Sequence, residues 1–208
     1  MRPGRDLAAA LLTACLAGVT MAGETAHGAR PRAPETLSPP HAYFTDVELI
    51  NQDGHPMRLY TDLLQGKTVV IDTIYTTCTG ICPVMSQTLS LIQDHLGARV
   101  GQDVRLISIS VDPEHDTPEK LKAFGEHLGA GPGWVFLTGS KENVEFALQK
   151  LGQHVENKTD HKAILLVGNE RTGLWKKAFG LAPPQDILDI VDSVVDDEGG
   201  GSGTAPGG

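Results

Sequence analysis

The chain has 208 residues, 40% of them hydrophobic, with 17 Lys+Arg against 26 Asp+Glu and a formal charge of −9. That is enough apolar material for one domain-sized core, with sequence to spare at the ends. The acidic balance, with Lys176-Lys177 as the only Lys-Lys pair, excludes a nucleic-acid binder, which needs clustered cations to meet phosphates. A single long apolar run, at the N-terminus, excludes a polytopic membrane protein. The 5% aromatic content argues against a stacking platform for carbohydrate or single strands.

Arg2 and Arg5 precede Leu7 to Gly23, 17 residues without a charge, with small residues at Thr20, Ala22 and Gly23. This is the layout of a secretory signal peptide cleaved near Ala22 or Gly23. The run falls slightly short of the roughly 20 residues of a spanning helix, so an uncleaved anchor is the second reading. Leu12-Thr13-Ala14-Cys15 resembles a bacterial lipobox, which would make Cys15 a lipid attachment site, although the residues after it stay apolar to Ala22. All three readings export the chain, to a compartment where cysteines meet an oxidising environment. Residues 24–41, rich in Pro, Ala, Gly and Arg, then read as a flexible tether. Residues 42–195 form the folded unit. The Gly-rich tail 196–208 cannot bury a core and is expected to be disordered.

Within the folded unit, Val47–Ile50 and Pro56–Tyr60 flank Asn51-Gln52-Asp53-Gly54 and read as a hairpin. Lys67–Tyr75 is a β-branched run typical of a buried strand. After it, Val84, Leu89, Leu91, Ile92 and Leu96 recur at helical spacing until Gly97. Val104–Val111 is a second core strand, ending at Asp112-Pro113. Asp116-Thr117-Pro118-Glu119 opens a helix to about Leu128, with a capping residue, a first-turn proline and an acid at the positive end. Trp134–Leu137 reads as a strand and Lys141–Leu151 as a helix. Ala163–Val167 and Leu174–Phe179 read as strands joined by the turn Gly168–Gly173, and Gln185–Val195 as a final helix. Strands alternating with helices imply parallel pairing at the front of the unit, and a hairpin plus helix closes it. The element order is that of a thioredoxin-like fold: a central mixed sheet flanked by helices, with an added N-terminal β-hairpin.

Cys78 and Cys82 sit between the first core strand and the following helix, in Thr76-Thr77-Cys78-Thr79-Gly80-Ile81-Cys82-Pro83. A spacing of four within a helical turn places both sulfurs on one face, where they can form a disulfide or bind one metal ion. A helix N-terminus favours anions, so both thiols are expected to be acidic and reactive. A purely structural disulfide closing so small a loop would add little stability. Two thiolates are an incomplete set for most metals. Histidines 27, 41, 55, 95, 115, 127 and 154 read as solvated or dipole-compensating residues. His161 differs, because it lies next to Asp160 directly before the strand Ala163–Val167, and loops at strand ends of a doubly wound sheet gather at one edge. A third ligand there would make a Cys₂His site, and soft thiolates with imidazole suit copper. Asp112, Asp116 and Glu119 read as a strand end and a helix cap rather than a calcium site, since no oxygen-rich loop accompanies them.

Three ordered motifs carry a resemblance. Thr76 to Pro83 resembles the TxCxxxCP motif of the Sco/SenC proteins, Ser110 to Glu119 their SVDPxxDTPE loop, and Asp160-His161 their distal histidine. The resemblance spans about residues 42–195. It implies a thioredoxin-like fold in the periplasm or mitochondrial intermembrane space, and one copper ion, Cu(I) or Cu(II), held by Cys78, Cys82 and His161. It also implies a role in building the binuclear copper site of cytochrome c oxidase, by delivering copper or by reducing that site's cysteines. The implied partners are the oxidase subunit carrying that site and other copper chaperones or thiol reductants. Three departures stand out: an N-terminus that reads more like a cleaved signal where many members carry a membrane anchor, Thr79-Gly80-Ile81 between the cysteines, where many members have Pro-Asp-Val, and the Gly-rich tail.

The main alternative is a periplasmic thiol–disulfide oxidoreductase using Cys78 and Cys82 as a redox-active pair. The usual thioredoxin-type enzyme has CxxC and a proline before a later strand. Here the spacing is longer, Asp160-His161 takes that place, and no proline lies between Pro132 and Pro183. A peroxidase fits less well, because no arginine is near Cys78 in sequence.

Overall fold

A computed structural model describes residues 38–160 and 162–199. The expected signal segment with Cys15, the tether up to residue 37, the tail from residue 200, and His161 lie outside the described residues. Among the described residues, no helix is long and apolar enough to cross a membrane.

The elements run α1 (Pro39–Phe44), β1 (Glu48–Asn51), β2 (Pro56–Arg58), β3 (Thr68–Ile74), α2 (Cys82–Leu96), β4 (Val104–Ser110), α3 (Pro118–His127), β5 (Trp134–Thr138), α4 (Lys141–Lys150), β6 (Ile164–Asn169), β7 (Leu174–Phe179) and α5 (Pro184–Val195). The seven strands form one sheet in the order β2-β1-β5-β4-β3-β6-β7. β3 pairs in parallel with β4, and β4 with β5, as the alternation predicted. β6 joins β3 antiparallel, and β7 and the hairpin β1-β2 are also antiparallel, so the sheet is mixed.

Each face of the sheet carries its own core. Alternate residues of a strand face opposite sides. Val70 and Ile74 of β3 therefore meet Met85, Leu89 and Ile92 of α2 and Ile187, Val191 and Val194 of α5. Val69 and Ile71 meet the other layer, with Leu63, Val144, Ala147 and Leu148. Each such fully buried side chain contributes roughly 1.5–3 kcal/mol through removal of apolar surface from water.

Two local differences from the sequence reading have physical causes. The second hairpin strand stops at Arg58, and Leu59–Leu64 turn into a short π-helical segment. Asp62 accepts from the Arg58 amide at 2.7 Å, and Leu59, Tyr60, Leu63 and Leu64 bury together, so helical spacing of large apolar groups overrides the β-run. The helix α1 begins inside the segment read as tether. Ser38 caps it, Pro39 and Pro40 suit its first turn, and His41 stacks on Tyr60 at 4.5 Å while pairing with Asp46 at 2.9 Å. At the other end, Asn169 Nδ2 donates to the Asp197 carbonyl at 3.1 Å, so the first residues of the Gly-rich tail touch the sheet.

Candidate metal centre

β3 delivers the cysteine segment to one edge of the sheet. Its last carbonyl, on Ile74, accepts from the Val111 amide at 2.8 Å, so the loops after β3 and β4 leave together. The loop 75–81 turns back when the Cys78 amide donates to the Tyr75 carbonyl at 3.1 Å. α2 then starts at Cys82, with Pro83 in its first turn. The expectation that both cysteines share one helical turn is corrected here: only Cys82 is helical, and the loop, not helical pitch, brings Cys78 to it. Pro83 explains the boundary, because a proline lacks an amide donor and is tolerated only in the first turn of a helix.

Cys78 is half-buried and Cys82 buried. Their environments differ. Burial pushes the Cys78 thiol up, but hydrogen bonds from the Cys82 thiol and amide, the Tyr75 hydroxyl and the Gly80 amide outweigh it and leave it below the ordinary value. Burial and the Cys78 hydrogen bond push Cys82 up to about 12. The expectation that both thiols would be acidic therefore holds for Cys78 and fails for Cys82, where desolvation wins over the helix dipole. Tyr75 rises to about 12 through its hydrogen bond to Cys78.

Asp72 lies in the middle of β3 and is fully buried. Burial raises its carboxyl to about 7, against a smaller lowering by Ser108, its partner in the β3–β4 register. The Ser108 oxygen also accepts from Trp134 Nε1 at 2.9 Å. The negative charge of Asp72 adds to the upward pressure on Cys82.

The loop after β4 carries two acids with different work. Asp116 is fully buried and accepts from the Thr76 amide (3.1 and 3.2 Å), the Thr76 hydroxyl (2.5 Å) and the Ser110 hydroxyl (2.6 Å). It is not the helix cap; Thr117 takes that place by accepting from the Lys120 amide. Asp112 pairs with His115 Nδ1 at 2.8 Å and Lys158 Nζ at 2.5 Å. Burial pushes the Asp112 carboxyl up, but these two partners outweigh it and hold it below the ordinary value. Lys158 also lies over the Tyr75 ring, 5.5 Å from its centre.

His161 lies outside the described residues, while its neighbours on both sides are described. The register Thr68↔Asn169 to Ile71↔Leu166 makes β6 begin at the edge where β3 ends. The shared edge thus arises from antiparallel pairing rather than from the doubly wound arrangement invoked from sequence. Lys158–Asp160 form a 3₁₀ turn before it, with Lys158 tied to Asp112 and Tyr75. After it, Ala163 is buried with Met85, which is one turn along α2 from Cys82. A Cβ on Gly180 would collide with the Met85 sulfur, which would have to shift, and lie 3.6 Å from the Ala163 carbonyl oxygen. Among the described residues, no three His, Cys, Asp or Glu side chains form a metal-binding group. The two soft thiol donors fit a thiophilic cation.

Tyr75, Asp116 and the Asp112–Lys158 pair were missed as site residues. One missed residue was legible: Asp72 is the only charge in the run Thr68–Ile74.

The family model for SCO1/SenC matches residues 36–195. A SCO1 protein homolog of Bacillus subtilis is 42% identical over 102 residues, which cover 48% of this chain and 51% of that protein. A protein of Stutzerimonas stutzeri named for copper binding is 28% identical over 116 residues, covering 56% of this chain and 55% of that one. The chain spans about half the length of these curated relatives. Among solved structures, BsSco is similar with a TM-score of 0.59 and 34% identity, covering 70% of this chain and 89% of that one. It is described as a member of the Sco family of cytochrome c oxidase assembly proteins with a disulfide switch. The thioredoxin-like fold expected from the element order is the fold these structures share.

Proposed function

The chain belongs to the SCO1/SenC family, and from that premise we propose that it is an exported copper-binding metallochaperone acting in cytochrome c oxidase assembly. The observation that carries the reading is the pair of mutually hydrogen-bonded thiols at the β3–α2 junction, one half-exposed and acidic, the other buried. Copper is the cargo. In this reading Cys78 and Cys82 bind one ion as thiolates and His161 completes the set. Thiolates alone suit copper(I), while copper(II) calls for the added imidazole. The relatives support it by name: one is named for copper binding, and BsSco for oxidase assembly.

Delivery needs an exit as well as a hold. Cys78 faces the loop surface and Cys82 the core. A client thiolate therefore meets Cys78 first, and protonation of Cys82, whose environment favours the neutral thiol, weakens the grip on the ion. The client is the oxidase subunit that carries the binuclear copper site. The chain works in the periplasm, held to the membrane by an uncleaved N-terminal anchor or a lipidated Cys15, or released by signal cleavage.

The thiol asymmetry also favours a second reading, reduction of that subunit's cysteines. The Cys78 thiolate attacks one sulfur of a client disulfide, forming a mixed disulfide and releasing the other client sulfur as a thiolate that takes up a proton. Cys82 loses its proton and attacks Cys78, which forms the Cys78–Cys82 disulfide and frees the second client thiol. Two electrons pass to the client and none are left over.

Anaerobic dialysis of the reduced protein against copper(I), followed by metal analysis, separates the readings. One copper per chain, lost in Cys78→Ser and in Cys82→Ser, supports the chaperone. No retained copper, with fast reversible oxidation of the pair, supports the reductase.

A further inference from the structure

Asp116 places its whole acceptor capacity on two segments that are distant in sequence. Ser110, the last residue of β4, donates its hydroxyl to Oδ2 at 2.6 Å. Thr76 donates its hydroxyl to Oδ1 at 2.5 Å and its amide to both oxygens. The carboxylate is itself fixed, because the Asp116 amide donates to the Asp112 carbonyl at 2.9 Å and the side chain is fully buried. It is not needed to start α3, which Thr117 caps. Thr76 is two residues before Cys78, in the loop that helical pitch does not fix. Buried charge-assisted hydrogen bonds are the stiffest polar links available to such a loop.

We propose that Asp116 is a positioning residue for the thiol pair: by anchoring Thr76 to the end of β4 it sets the separation and orientation of Cys78 relative to Cys82. The carboxylate touches neither sulfur and acts through the backbone between Thr76 and Cys78. The metal-dependent part of the inference rests on the copper reading; the dithiol part does not.

The test uses the full chain, metal-free, equilibrated with glutathione. One oxidised glutathione accepts two electrons and two protons from the pair, giving two reduced glutathiones and the Cys78–Cys82 bond. Thr76→Val removes one hydroxyl donor without changing side-chain shape, and Asp116→Asn removes the charge. Each is expected to move the equilibrium constant about tenfold toward the dithiol. The double variant is expected to move it no further than the larger single change, because both remove one interaction. Asp192→Asn, which removes a surface carboxylate paired with His95, is expected to leave it unchanged. The copper(II)-loaded variants are expected to show shifted thiolate-to-copper absorption bands. An unchanged equilibrium constant in Thr76→Val, or shifts that simply add in the double variant, would overturn the proposal. If Asp116→Asn does not fold, Thr76→Val and Ser110→Ala decide the matter. If the wild-type chain binds no copper(II), the chaperone reading fails, and the glutathione equilibrium still judges Asp116.

Discussion

Lys158 Nζ lies 2.5 Å from Asp112 Oδ2, so a cation three residues before His161 is fastened to the loop that follows β4. The same lysine covers the Tyr75 ring, and the Tyr75 hydroxyl donates to Cys78. One side chain thus links the segment entering β6 with the segment leaving β3. Asp112 is nearly buried, while Lys158 and His115 are more exposed. Asp112→Asn is expected to cost about 1–2 kcal/mol at neutral pH, between the values for surface and buried pairs. The folded state holds the Asp112 carboxyl below its ordinary value of 3.8. Its contribution is therefore present above that value and is lost as the pH falls through the depressed one. Urea unfolding of wild type and Asp112→Asn at pH 6.5 and at pH 3 or below checks this. The gap narrows at the lower pH; an equal gap would show that packing, not charge, does the work.

Asp72 has the opposite sign. Burial raises its carboxyl from 3.8 to about 7. The folded protein holds that proton more tightly than the unfolded chain, so the group's relative contribution is full below 3.8 and is lost as the pH rises to about 7. Asp72→Asn is expected to flatten this loss, giving a variant more stable than wild type above pH 7 by on the order of 2–4 kcal/mol. Guanidinium unfolding between pH 4.5 and 8 measures it. Parallel curves for the two proteins would mean that Asp72 is not the group responsible.

Much of this was open to reading in the residues themselves. The β-branched runs of β3 and β4 and the Asp-Gly hairpin are strong local signals, and the strand–helix alternation left few topologies. The cysteine pair was legible because its two members lie close together in sequence. What escaped reading depends on approach in space. The link from Asp116 to Thr76 joins residues 40 apart, and its carboxylate looked like a helix cap. Cys82 looked acidic because helix position is visible in sequence while its burial is not. α1 was hidden by its prolines, which read as a tether until Ser38 and Tyr60 hold them.

Partial alkylation of the reduced chain reports the thiol asymmetry directly. At pH 8, iodoacetamide is expected to modify Cys78 at least about tenfold faster than Cys82, since reactivity follows the exposed thiolate. Fragmentation mass spectrometry locates the label. Equal labelling, or Cys82 first, would contradict the assignment of Cys78 as the acidic, accessible member.

Gly180→Ala places a methyl against the Met85 sulfur beside Ala163. Overpacking there is expected to cost about 1–3 kcal/mol. Since Met85 is fully buried, it cannot swing into solvent to relieve the clash. The double variant Gly180→Ala/Met85→Ala is expected to lose less stability than the two single changes together. Thermal unfolding of the four proteins closes the cycle, and strict additivity would show that the two residues do not meet.

The proposed copper site consists of Cys78, Cys82 and His161. Copper(II) titration of the reduced protein lacking its first 23 residues, read by absorption and electron spin resonance in wild type and His161→Ala, tests it most directly. One bound ion with thiolate-to-copper bands is expected in wild type, and loss of those bands with a changed resonance signal in His161→Ala. An identical stoichiometry and spectrum in the two proteins would remove His161 from the site and contradict the account.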